Sequence, residues 1–207
     1  MVKVNKNDFI EIEFIAKVKD GEVFDTNIPS EAKKLDSKIQ VKPLVICVGQ
    51  AMLLSGLDKQ LEGKEIGKKY SLEIQPEEGF GERKKELVKL MPLGVFTEKN
   101  VTPRPGMTFA LDNFLVKIIT VSGGRVLVDF NHPLSGKILI YDITINKKIQ
   151  DLEEKVNALN EFFFKSPIKF KVEKEKKKII FEDKNLKPMV DMFKDKYKEV
   201  LGFDIYV

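Results

Sequence analysis

Ile12–Thr26, IEFIAKVKDGEVFDT, and Val48–Gly67, VGQAMLLSGLDKQLEGKEIG, decide how this chain folds. In the first stretch the apolar residues Ile12, Phe14, Ala16 and Val18 extend an alternation that begins at Ile10. That period of two marks a strand with one buried face. Asp20-Gly21 supplies the turn chemistry that ends it. In the second stretch Gly49 closes the short apolar run LVICV. Leu53, Leu54, Leu57 and Leu61 then fall at helical spacing and give a short helix with an apolar underside. Both stretches crowd large apolar side chains around a glycine turn.

Working outward, KYSLEI alternates again, with Tyr70, Leu72 and Ile74 on one face. Thr26 to Pro43, rich in Pro, Ser and charge, reads as a loop. From Glu86 to Asp129 the chain changes character: KNVTPRPGMTF, FLVKIITV and RVLVDF read as strands. The last two flank Gly123-Gly124 and form a hairpin. KILIYDITI then resumes the pattern of the first region. One continuous β-rich domain would accommodate this; an inserted unit better explains the late return. After Gln150, Leu152, Val156, Leu159 and Phe163 make an amphipathic helix stopped at Ser166-Pro167. IKFKVE and KIIFE form a hairpin around the lysine run 174–178. Pro188 opens a second helix carrying Val190, Phe193, Tyr197 and Leu201, and Gly202 is placed to end it. FDIYV closes the tail as a strand.

Composition narrows the function. The 207 residues, 43% of them hydrophobic, suffice for a core plus smaller units. No apolar run approaches about 18 residues, which excludes a membrane-spanning helix. The N-terminus lacks the apolar segment of a signal peptide, and the lone Cys47 fits a reducing compartment, so a cytoplasmic location is expected. Net charge is +4 with 33% charged residues. The single basic run, without base-reading aromatics, reads as a solvated hairpin turn rather than a nucleic-acid site. With one His (His132) and one Cys, no metal site is expected, and no cofactor.

Four spaced segments carry a family resemblance. DGEVFD (Asp20–Asp25) is similar to the D-G-x-x-F-D turn of FK506-binding proteins (FKBPs). VGQAMLLSGL is similar to their G-x-x-x-V-I-x-G-W corner, with the same spacing between Gly49 and Gly56. PEEGFG (Pro76–Gly81) resembles P-x-x-A-Y-G, and NHPLSGK (Asn131–Lys137) resembles N-H-P-L-A-G-K. IQPEEGFGERKKELVKLMP looks like the point where the SlyD-like branch inserts a chaperone domain into the flap. The whole resembles the long archaeal type of that branch.

The resemblance implies an α+β fold in three parts. An FKBP-like antiparallel sheet wrapped on a short helix would span 1–85 and 131–150. A small β-rich insert-in-flap domain would span 86–130, and a C-terminal α-β-β-α-β domain 151–207. It also implies a peptidyl-prolyl cis–trans isomerase. Position by position, the catalytic residues would be Phe14 and Phe80 (each where relatives often carry Tyr), Asp25, Leu57 and Tyr141. Phe24, Leu44, Leu53, Leu54 and Leu134 would line the proline site. Met91, Leu93, Val95, Phe96, Phe109, Leu111 and Phe114 would hold unfolded chain on the insert, some of them packing internally.

Three functions then compete: a folding isomerase with chaperone activity, a binding-only holdase whose pocket is silenced at Phe14 and Phe80, and a scaffold organised by the tail. The expected partners are unfolded polypeptides with X–Pro bonds, with neither nucleic acid nor membrane. The tail, ending on the apolar strand Phe203, Ile205, Val207, is expected either to form a homodimer or to pack on the isomerase body.

Overall fold

The structure, a computed structural model, describes residues 2–36, 38, 41–111 and 114–207. The chain divides into two compact units. Met1–Lys17, Val23–Leu72 and Tyr141–Val207 form one; Val18–Glu22 and Glu73–Ile140 form the other.

The first unit is organised by β1 (Phe9–Val18), whose burial alternates as its sequence does: Ile10, Ile12, Phe14 and Ala16 point inward. Burying a side chain of Ile size stabilises the fold by about 1.5–3 kcal/mol, so this face fixes the strand's register. β1 pairs antiparallel with two short strands in succession. β3 (Leu44–Cys47) takes its first half, with Phe9 opposite Cys47 and Ile12 opposite Leu44. β2 (Val23–Thr26) takes its second half, Ile15 opposite Thr26, with a register shift after Ala16. Asp20, at φ +57°, makes the turn between β1 and β2. β4 (Lys69–Ile74) and β9 (Leu139–Lys148) complete the sheet, order β2-β1-β9-β4 with β3 on β1. α2 (Ser55–Leu61) buries Leu57 and Leu61.

The expected loop from Thr26 to Pro43 holds a helix, α1 (Pro29–Leu35). Pro29 pre-sets the first helical φ. Glu31 in the first turn and Lys33 and Lys34 in the last complement the helix dipole. Only Ala32 is buried, so no apolar stripe announced it. Residues 37, 39 and 40 of that expected loop lie outside the described residues.

The tail folds as the periodicity indicates. It runs α4 (Leu152–Phe164), β10 (Phe170–Glu173), β11 (Lys178–Phe181), α5 (Lys187–Leu201) and β12 (Asp204–Tyr206), with sheet order β10-β11-β12. The Asp151 carboxylate caps α4 by accepting the Glu154 N–H at 2.9 Å. Gly202, at φ +74°, ends α5. Three short strands and two helices enclose little core, and here they share one with the body. Phe9, Cys47 and Ile149 are buried in one cluster with Leu159, Phe181, Val190 and Tyr197. At its centre the Tyr197 hydroxyl donates to Asn160 Oδ1 at 2.7 Å, while the fully buried Asn160 Nδ2 has no partner among the described residues.

The second unit contains a four-stranded antiparallel sheet, order β5-β8-β7-β6: β5 (Val88–Pro92), β6 (Thr108–Leu111), β7 (Phe114–Ser122) and β8 (Arg125–Asp129). Ser122 opposes Arg125 across Gly123 and Gly124, both at positive φ, as the hairpin chemistry requires. One expectation fails locally. KNVTPRPGMTF is a strand only from Thr108, because Pro103 and Pro105 precede it and proline cannot donate to a ladder. LVKLMP supplies an unforeseen edge strand, β5, and is followed by the four-residue helix α3 (Gly94–Thr97).

Candidate active site

Phe14 on β1, Phe24 on β2 and Tyr141 on β9 bring three rings together. Phe14 and Tyr141 centroids lie 5.7 Å apart at 43°. Phe24 meets Tyr141 edge-on at 6.3 Å. Phe14 and Tyr141 are buried, Phe24 half-buried. Two buried polar residues that the sequence pattern did not single out fix the backbone beneath Phe14. Asn27 accepts the Phe14 N–H at 2.7 Å and donates to the Ile12 carbonyl at 2.8 Å. The Thr26 hydroxyl donates to the Phe14 carbonyl at 2.6 Å. Only their position immediately after Phe24-Asp25 could have flagged them.

Asp25 completes this cluster. The residue is exposed, yet burial of its carboxyl raises the pKa above the ordinary value, opposed by a backbone hydrogen bond at Thr26. The Tyr141 hydroxyl is pushed up to about 12 by burial first and by the Asp25 charge second. At neutral pH it is an uncharged donor within the field of a carboxylate.

The leucines expected at the site sit on two further elements. Leu44 is half-buried on β3. Leu53 and Leu54 are half-buried just before α2, and Leu57 is 1% exposed within it. The Leu54 carbonyl accepts the N–H groups of Leu57 and Asp58 at 3.0 and 2.9 Å, starting the helix. Asp58, also unforeseen, is buried and accepts the N–H groups of Gly49 at 2.8 Å and Ala51 at 3.0 Å.

Phe80 and Leu134 belong to the second unit, where His132 joins them. The Phe80 and His132 rings stack at 4.4 Å, 3° from parallel. The Leu134 N–H donates to His132 Nδ1 at 3.2 Å, and the Ser135 hydroxyl to the Phe80 carbonyl at 3.2 Å. Among the described residues no group of three or more His, Cys, Asp and Glu is arranged to hold a metal ion. A clasp joins the two strands of chain that enter and leave the four-stranded sheet. Arg83 donates twice to Asp129 Oδ2, at 2.9 and 2.7 Å. Buried Asn131 exchanges two hydrogen bonds with the Lys84 backbone and donates to Asp129. Burial works against the Asp129 charge, but the bonds from Asn131 and Arg83 outweigh it and hold the carboxyl below its ordinary value.

On the insert, Phe96 and Leu111 are corrected from candidate surface residues to core. They are 1% and 2% exposed, packed with Val116, Ile118, Val126 and Val128. They close a core whose other buried members are the inward-facing valines and isoleucine of β7 and β8. Met91, Leu93, Val95 and Phe109 are half-buried against that core. Phe114 is 60% exposed and meets the Phe130 ring at 6.3 Å. Leu90 and Leu115, more than half exposed and not foreseen, stand on the opposite sheet face by strand alternation. Leu115 also lines a cleft of about 560 Å³ with Lys117, Ile118, Asp129, His132 and Lys137.

Comparison with known proteins agrees with this architecture. The family model for FKBP-type peptidyl-prolyl cis-trans isomerase matches residues 2–96, and that for the FKBP26 IF domain matches residues 89–134. The short-type peptidyl-prolyl cis-trans isomerase of Methanocaldococcus jannaschii is 32% identical over 155 residues, covering 72% of this chain and 94% of that protein. SlyD of Haemophilus influenzae is 32% identical over 148 residues, 70% of this chain and 72% of its own length. SlyD of Treponema pallidum is 26% identical over 162 residues, 76% and 85% respectively. No helix among the described residues is long and apolar enough to cross a membrane. The chain belongs to the family of FKBP-type peptidyl-prolyl cis–trans isomerases.

Proposed function

We propose that this isomerase rotates X–Pro bonds against the Phe14, Phe24 and Tyr141 rings, and that its insert first captures the unfolded chain bearing them. Asp25, Leu44, Leu53, Leu54 and Leu57 frame the site on the body. Residues 86–130 carry the capture surface. The observation behind this reading is the buried ring cluster built on the sequence positions that resemble the family's site.

Such a cluster suits the chemistry. Amide resonance sets a barrier of about 18–20 kcal/mol. The planar amide separates charge more than the twisted transition state does. An apolar, water-poor environment therefore favours the twisted form, and binding that is stronger in the transition state is what accelerates the step. The rotation needs no acid, base or nucleophile. Phe14 and Phe80 offer no hydroxyl. In this proposal the Tyr141 hydroxyl, uncharged beside Asp25, is the polar group left to orient a substrate carbonyl.

Capture falls to Phe114 on one face of the four-stranded sheet and to Leu115 and Leu90 on the other, with Met91 supplying adaptability. Holding a client on the same chain as the site raises the effective concentration of its prolines. The holdase reading is favoured by the missing hydroxyls at Phe14 and Phe80. In the tail, Tyr206 on the short edge strand β12 and Val207 after it remain exposed, which supports a homodimer through that edge; sedimentation at tens of micromolar tests it.

The deciding experiment uses full-length chain carrying Leu90→Ser, Phe114→Ser and Leu115→Ser. Isomerisation of a short prolyl peptide is expected to stay within twofold of the parent, while catalysis of a proline-limited protein refolding falls much further. Equal losses on both substrates would refute the division of labour.

A further inference from the structure

The corner Gly49-Gln50-Ala51 is held in an unusual backbone conformation. Gly49 sits at φ +78° and Ala51 at φ +55°, with Asn7 beside them at φ +67°. Left-handed backbone is unfavourable for a residue with a Cβ, and it persists where surroundings over-determine it. Two buried side chains do so here. Asp58, 7% exposed, takes the N–H groups of Gly49 and Ala51. Gln50, 8% exposed, uses both ends of its amide. Nε2 donates to Asn7 Oδ1 at 2.6 Å and to Glu199 Oε1 at 3.4 Å. Oε1 accepts from Lys196 Nζ at 2.8 Å, and the same ammonium reaches Glu199 at 2.9 Å.

Lys196 and Glu199 lie on α5, in the tail. The grip continues in apolar contact, because Met52, whose sulfur accepts the Cys47 N–H at 3.1 Å, packs with Cys47 into the core shared with α4 and α5. From this corner the chain runs directly into Leu53, Leu54 and Leu57.

We infer that Gln50 is a positioning residue for isomerisation, through which helix α5 holds the leucine corner of the proline site in its working geometry. The inference rests on the proposed placement of Leu53, Leu54 and Leu57 at that site. It gives the C-terminal unit a role in turnover by the same chain, separate from any association between chains. Without the clamp, only a fraction of molecules hold the corner correctly. Substrate must then select that fraction, which weakens apparent affinity in proportion and leaves turnover at saturation nearly unchanged.

The test compares full-length Gln50→Met, Lys196→Met, Lys196→Arg and Leu57→Ala on a short prolyl peptide, at a temperature where each is fully folded by thermal denaturation. Gln50→Met and Lys196→Met are expected to raise KM about two- to tenfold, the range that one lost hydrogen bond spans, with kcat within twofold. Lys196→Arg restores the donor and is expected to match the parent. Should Gln50→Met fail to fold, Lys196→Met still decides, since that side chain is part-exposed and its loss removes the shorter of the two α5 bonds to Gln50. Unchanged KM in both methionine variants, with activity lost in Leu57→Ala, overturns the inference and leaves the site intact. Unchanged activity in folded Leu57→Ala overturns the site placement, and the inference with it.

Discussion

Replacing Tyr141 by leucine probes the ring cluster without hollowing it out. Tyr141 is 6% exposed and makes two ring pairs, to Phe14 at 5.7 Å and to Phe24 at 6.3 Å. Each pair is worth about 0.5–1.5 kcal/mol beyond buried area, so Tyr141→Leu is expected to cost about 1–3 kcal/mol of stability. That is tolerable against the roughly 5–15 kcal/mol of a typical domain, and leucine retains much of the apolar volume. The catalytic loss is expected to be larger in proportion. Without the ring wall, water reaches the proline, the twisted amide loses its preference, and kcat/KM falls about tenfold or more, or about 1.4 kcal/mol of barrier. Tyr141→Phe keeps both ring pairs and removes only the hydroxyl, so about a two- to tenfold loss is expected. Exchange NMR on a short prolyl peptide reports both rates, and urea denaturation reports stability. A folded Tyr141→Leu protein with kcat/KM within twofold of the parent would remove this cluster from the proline site.

Asp25 and Asp129 are expected to respond to pH with opposite signs. Burial raises the Asp25 carboxyl, so its contribution to stability is full below the unfolded value of about 3.9 and is lost as pH rises through the folded value. Asp25→Asn is therefore expected to raise Tm at pH 7 while lowering isomerase activity, and an unchanged or lower Tm contradicts this. Asp129, held low by Asn131 and Arg83, contributes stability above about pH 3.9 that is lost as pH falls through its folded value. Asp129→Asn should lower Tm at pH 7 and flatten the acid decline, and a Tm–pH curve parallel to the parent's would contradict that. In the tail, Tyr197→Phe strands Asn160 wholly unpaired in the core and is expected to cost about 1–3 kcal/mol by urea denaturation. Adding Asn160→Leu should recover most of that loss; a double variant no more stable than the single one refutes the assignment.

The body and tail were legible because their strongest signals are periodic. The alternation from Ile10 to Val18 can be satisfied only by a strand with one buried face, and the tail helices carry apolar residues on one stripe with caps at Asp151 and Gly202. Elements held by polar detail were not legible. α1 buries only Ala32, and β5 has no alternation, taking its place through pairing with β8. At the candidate site the rings could be named from segment resemblance. Thr26, Asn27 and Asp58 could not, because a buried side chain that satisfies distant backbone groups looks in sequence like any turn or helix-start residue. Phe96 and Leu111 show the converse: apolar character alone does not tell a capture surface from the core beneath it.

Two-dimensional exchange NMR of a short X–Pro peptide with catalytic amounts of the full-length chain, followed by mapping of the peptide's contacts on the labelled protein, tests isomerisation at the ring cluster. Accelerated cis–trans exchange is expected, with shift changes concentrated at Phe14, Phe24, Asp25, Leu57 and Tyr141. Unaccelerated exchange, with peptide contacts confined to residues 86–130, would contradict it and identify a binding-only chaperone.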